Sequence, residues 1–131
     1  MKKVVFVVFL VLIIAAGVIF AQQTQQAQPA ATGYTRGTYT ATAPSYNSAT
    51  AGTDGKMTIE VTFNATRMTE IVIKEHTDTA AFINMAQRRM IPAMIAAQSV
   101  NVDGVSGATH TSVGLKAAVT DAMTQAKRQQ Q

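Results

Sequence analysis

Lys56-Met57-Thr58-Ile59-Glu60-Val61-Thr62-Phe63 alternates strictly, with Met57, Ile59, Val61 and Phe63 on one face and Thr58, Glu60 and Thr62 on the other. A period of two is that of a strand with one face buried. The pattern resumes after Asn64-Ala65-Thr66-Arg67. From Met68 to His76, Ile71 and Ile73 share one face while Glu70, Val72 and Lys74 share the other, so the two segments predict an antiparallel hairpin. At Asp78 or Thr79, either of which can cap a helix, the period moves from two to about 3.6, with Phe82, Ile83, Met85 and Ala86 as its apolar positions. Strands grouped ahead of helices predict an α+β domain whose antiparallel sheet packs against the helices.

Working outward, Tyr34 to Ala43 is rich in Thr and Tyr, contains Gly37 and stops at Pro44, which suits an edge strand ended by a proline. Pro44 to Gly55 collects Pro, Ser, Asn, Gly and Asp and finishes in the turn dipeptide Asp54-Gly55, so a loop is expected there. On the other side, Pro92 divides the helical stretch. One helix is expected to end near Met90, and a second to start with Pro92 in its first turn and run to Gln98. After Ser99 to Val105, Thr111 or Ser112 can cap a last helix whose stripe is Leu115, Val119, Ala122, Met123 and Ala126. The seven methionines, apart from the initiator, read as core gap-fillers.

The chain has 131 residues, 47% of them hydrophobic, which is enough for one ordinary domain and too apolar for a disordered one. Much of that content lies at the start, where Lys2 and Lys3 precede an unbroken apolar run from Val4 to Ala21. Residues 1–21 therefore read as a signal peptide or membrane anchor. Cleavage after Ala21 is permitted, with the bulky Ile19 at the minus-three position, and an uncleaved anchor is the alternative. Either way the remainder is expected outside the cytoplasm, in the periplasm, at the cell surface or secreted. Residues 22–33, mostly Gln, Thr and Ala, read as a flexible linker, and 34–131 as the folded domain. Of eleven basic residues two are Lys2 and Lys3, leaving nine against seven acidic ones beyond Ala21, without a cluster. Nucleic acid is a poor partner for such a surface. With no cysteine there is no disulfide or thiolate site, and with two histidines no transition-metal site is expected.

Asp103-Gly104-Val105-Ser106-Gly107-Ala108-Thr109-His110-Thr111-Ser112 is a run of small residues and hydroxyls just before a helix. Free N–H groups in a first helical turn, the helix dipole and a glycine that admits close approach together make an anion site, with a phosphate as the natural guest. On the residues alone, a glycine turn followed by a Thr or Ser cap is the plainer reading.

Ser106-Gly107-Ala108-Thr109, with Asp103 three residues upstream and Thr111-Ser112 following, resembles the flavinylation motif of the FMN-binding domain family. Similar domains occur in flavin subunits of sodium-pumping NADH:quinone oxidoreductase and beside some secreted fumarate-reductase-like flavoproteins. The resemblance runs from about Gly33 to Ala126. It includes Gly37-Thr38-Tyr39-Thr40, Asp54-Gly55, the strand pair, Glu75-His76-Thr77-Asp78-Thr79, and Ile91-Pro92 ahead of Gln98-Ser99.

The resemblance implies that Thr109 bears FMN as a phosphoester, attached by a Mg-dependent flavin transferase that takes the FMN portion from FAD. The chain would then be that transferase's substrate, an electron carrier rather than a stand-alone enzyme. Small side chains at Ser106, Gly107 and Ala108 would admit the transferase, and Asp103 would order the loop or be read by it. The phosphate would sit by the N–H groups of Thr111, Ser112 and Val113. His76, Asp78 and Thr79 match a segment near the cofactor, a strand end and helix cap being the other reading. His110 either modulates the flavin or is a solvated loop residue, and Met90, Ile91 and Leu115 either touch the ring or are core. Redox partners would be a membrane dehydrogenase, a quinone-linked complex, a cytochrome or a reductase. A non-covalent FMN or phosphate-ligand binder, and an envelope structural or adhesive protein without cofactor, are the alternatives.

Overall fold

The computed structural model describes residues 33–129, so the expected signal or anchor at 1–21 and nearly all of the expected linker lie outside the described residues. Three strands, β1 (Gly37–Asn47), β2 (Gly52–Phe63) and β3 (Met68–His76), form an antiparallel sheet in chain order. Two helices follow, α1 (Ala80–Ala97) and α2 (Thr109–Arg128). α2 lies against β1 and β2 while α1 packs on β3. This is the expected α+β arrangement.

The alternation in β2 sets the core. Met57, Ile59 and Val61 are fully buried and Phe63 nearly so, joined by Met68 and Ile71 of β3. Opposite Met57 and Ile59, β1 places only alanines, Ala43 and Ala41. Large residues on the central strand and small ones on its neighbour leave room for α2 to press on β1. The approach is closest at Gly114, where a Cβ would stand 2.8 Å from the Pro44 carbonyl oxygen. α2 closes the core with Leu115, Ala118, Val119, Ala122 and Ala126, so the expected stripe is buried, with Met123 half-buried beside it. On the outer face of the sheet, Thr38 pairs with Thr62 and Thr42 with Thr58 through hydroxyl hydrogen bonds of 2.9 Å. Such cross-strand pairs add about 0.2–1 kcal/mol each.

The hairpin forms as expected, but the edge strand does not stop at Pro44. β1 continues to Asn47, with Pro44 opposite Lys56. The strand is paired on one side only, so a residue without an N–H is accommodated toward the open side. The reversal falls instead at Ser48–Ala51, where Asn47 Oδ1 accepts the Ala49 N–H and Ala51 takes a φ of 53°. Asp54-Gly55 therefore belongs to β2. Gly55 is buried because the carbonyl oxygen of Tyr46 and the Thr77 hydroxyl close over it, and a Cβ there would lie 2.3 Å and 2.2 Å from those atoms. Gly55→Ala is accordingly expected to cost about 1–3 kcal/mol through overpacking against backbone, read as a lowered urea midpoint at unchanged slope.

The helical stretch is likewise not divided. α1 runs through Pro92, burying Ile83, Ala86, Met90 and Met94 as one stripe. Pro92 and Arg88 are both exposed, so the carbonyl that loses its partner faces water while the stripe holds the helix together. α1 ends at Gln98 in the left-handed region, φ 52°. The Gln98 side chain accepts the Met68 N–H at 2.7 Å and donates to the Met68 carbonyl at 2.8 Å, pairing with the first residue of β3 as a strand neighbour would.

At the end of the domain opposite Thr109, the Tyr34 N–H bonds the Ala65 carbonyl and the Thr35 N–H bonds the Ala126 carbonyl. The Tyr39 hydroxyl reaches the Gln129 side chain. Burial against Phe63 raises the Tyr34 phenol pKa above its ordinary value.

Candidate functional site around Thr109

Residues 103–112 fold as a turn leading into α2. Val105 is buried and anchors the loop, its N–H donating to the Ser112 hydroxyl at 2.9 Å while that hydroxyl donates to the Ala108 carbonyl at 2.8 Å. The Ala108 N–H closes back on the Val105 carbonyl at 3.0 Å. Gly107 sits at φ 79° with no atom within 4 Å of where a Cβ would be, so this glycine serves backbone conformation rather than space. These bonds set Thr109 as the first residue of α2 with its side chain exposed.

α2 thus begins three or four residues earlier than a Thr111 or Ser112 cap would have it. Ala108 occupies the cap position, and both hydroxyls are buried within the first turn. Their oxygens are diverted, Ser112 to the loop and Thr111 to the Asp78 carboxyl group. The first backbone bond of α2 runs from the Ser112 N–H to the Ala108 carbonyl at 3.0 Å. The first-turn N–H groups that precede it are those of Thr109, His110 and Thr111. An anion at this terminus would meet these, not the N–H groups of Ser112 and Val113.

Beside Thr109 lies a pocket of about 210 Å³ lined by Tyr46, Phe82 and residues 107–111. The Tyr46 and His110 rings are nearly parallel, 15° apart in plane with centroids separated by 6.3 Å. A flat aromatic ligand tied to a phosphate fits this composition: N–H groups and a free hydroxyl at the helix end, ring faces next to them. Gly107, Ala108, Thr109 and Thr111 all line it. Ser106 is exposed in the turn and Ser112 lies beneath it; neither lines the pocket. Asp103 lies along a separate groove with Arg89 and Ala93 of α1.

The His76-Asp78-Thr79 segment divides. His76 is exposed at the end of β3, its Nδ1 3.2 Å from the Asp78 carbonyl oxygen. Thr79 is the cap of α1 by position, and its side chain makes no capping bond. Its carbonyl takes the Phe82 N–H at 2.9 Å, in the turn that sets Phe82 in the pocket wall. Asp78 is 4% exposed, and its two carboxyl oxygens accept the hydroxyls of Ser45 (2.6 Å) and Thr111. Met90 and Leu115 are wholly buried core, and neither they nor Ile91 line the pocket. Tyr46 was hidden within an expected loop and Phe82 among helical core positions. An aromatic next to Pro44-Ser45 was the one available signal for the first.

The profile of the FMN-binding domain matches residues 52–124, more than half of the chain, and the chain belongs to that family. FMN is accordingly its cofactor. An uncharacterized protein of Treponema pallidum (strain Nichols) is 32% identical over 74 residues, which make up 56% of this chain and 21% of that protein. The chain thus matches about a fifth of the length of that relative.

Proposed function

We propose that this chain is an exported flavoprotein that carries FMN as a phosphoester on Thr109 and acts as an electron carrier in the envelope or outside the cell. The observation that carries the reading is the exposed Thr109 hydroxyl on the first residue of α2, at the lip of a pocket with aromatic walls. In attachment, Thr109 Oγ1 attacks the FMN-side phosphorus of FAD. The new P–O bond forms as the pyrophosphate P–O bond breaks, AMP leaves, and the hydroxyl proton passes to a base on the transferase. An alkyl hydroxyl is a weak nucleophile near neutral pH, so the base and the Mg²⁺ belong to that enzyme.

The chain's own part is to present and to hold. The first-turn N–H groups of Thr109, His110 and Thr111 would receive the phosphate, and Tyr46, Phe82 and His110 would bound the ring. Bound FMN supplies the redox chemistry for which a chain without cysteine has no group of its own. The apolar run at 4–21 behind two lysines supports export, and with it a membrane dehydrogenase, quinone-linked complex, cytochrome or reductase as the redox partner.

Intact-protein mass spectrometry after expression in an exporting host that also makes a flavin transferase tests this reading, with peptide mapping across residues 103–116. A mass increase of FMN less one water on Thr109 is expected. An unmodified chain, with the transferase active on a control substrate, would overturn covalent attachment and leave a non-covalent FMN binder.

A further inference from the structure

Asp78 is buried, does not line the pocket, and joins two segments that do. Ser45, whose hydroxyl donates to one of its oxygens, is the chain neighbour of Tyr46; Thr111, which donates to the other, is the chain neighbour of His110. Tyr46 and His110 are the two near-parallel rings beside Thr109. We propose that Asp78 is a positioning residue for the flavin pocket, holding the Tyr46 wall and the acceptor turn of α2 at a set separation by binding the hydroxyls of Ser45 and Thr111. The proposal rests on the reading of that pocket as the flavin's seat.

Three features support it. Hydroxyl bonds to a carboxyl group are short and strong, and at 4% exposure water competes little for them. The same region of β1 and α2 already meets without an intervening side chain at Gly114, where a Cβ would stand 2.9 Å from Ser45 Oγ. The carboxyl group is therefore the next tie along the seam toward Thr109. Finally, Asp78 is fixed from its own side: its carbonyl faces His76, and Thr79 after it starts α1, which brings Phe82 to the same pocket.

The test uses the full chain, loaded with FMN, and reads flavin fluorescence, which contact with an aromatic side chain quenches. Tyr46→Leu should raise it about twofold or more by removing a stacked ring. Thr111→Val, nearly isosteric but without the hydroxyl, and Ser45→Ala should give rises of the same order, whereas Thr111→Ser should stay at the wild-type level. Leu115→Ala, destabilised elsewhere in the core, should also stay at wild type, which separates positioning from general loosening. Wild-type fluorescence in Thr111→Val, with the Tyr46→Leu rise present, would overturn the role of Asp78 alone. No rise in Tyr46→Leu, in protein shown to carry the flavin, would overturn the pocket reading itself. A second arm needs no cofactor: the nuclear Overhauser contact between the Tyr46 and His110 rings in unloaded protein should vanish in Thr111→Val and persist in Thr111→Ser. Its persistence in both would overturn the proposal.

Discussion

Thr109→Ala is expected to yield a folded protein without covalent flavin. The side chain is exposed, it makes no hydrogen bond that the fold uses, and alanine is a better helix former than threonine at the first position of α2. Exposed substitutions of this kind stay within about 0.5 kcal/mol, so the melting temperature should hold within a few degrees. The flavin effect, by contrast, should be complete, because no other hydroxyl occupies the same place. Ser106 points into solvent from the turn, while Thr111 and Ser112 are buried and engaged. Intact mass and thermal melting on the same preparation check both halves. Covalent FMN at wild-type yield in this variant would move the attachment elsewhere, and a large drop in melting temperature with loading intact would reduce Thr109 to a structural residue.

Leu115→Ala is expected to do the reverse. Leu115 lies six residues along α2 from the acceptor, is completely buried, and sits where α2 closes over β1 and β2. Removing it deletes buried methylenes and leaves a cavity bounded by neighbours on two layers, a change that costs about 2–5 kcal/mol. For a domain of this size that corresponds to a fall in melting temperature of roughly 10–25 °C. Total stabilities are only about 5–15 kcal/mol, so the variant should be tested well below its transition, where the acceptor turn is still held by Val105, Ser112 and Ala108 and loading should continue. Calorimetry and flavin yield as a function of temperature give the two readings together.

The hairpin and the helical stripes were legible because they are local: a period of two in Met57 to Phe63 and a helical spacing in Leu115 to Ala126 report which face is buried, whatever the partner. The extension of β1 through Pro44 and the unbroken α1 through Pro92 were not, because proline's local penalty was outweighed by pairing with Lys56 in one case and by the Ile83-to-Met94 stripe in the other. The turn that leads into α2, being contiguous, was readable from Asp103 to Ser112 as a small-residue run ahead of a helix. Its surroundings were not. Ser45, Asp78 and Thr111 lie 33 residues apart from one to the next, and nothing in any one segment announces the other two. The hydroxyl positions that looked like caps turned out to be ties, since a buried carboxyl group and a loop N–H claimed them first.

Within the described residues, the two ends of α2 meet different parts of the chain. Thr109 opens α2, and the start of the described chain at Tyr34 and Thr35 is fastened near the far end of the same helix, at Ala126. Twenty helical residues span about 30 Å. Ala126 lies seventeen residues from Thr109, so Thr35 is fastened about 26 Å along the helix from that hydroxyl. The entry of β1 and the exposed hydroxyl thus sit at opposite ends of one helix, far enough apart that substitutions at the two should add in stability.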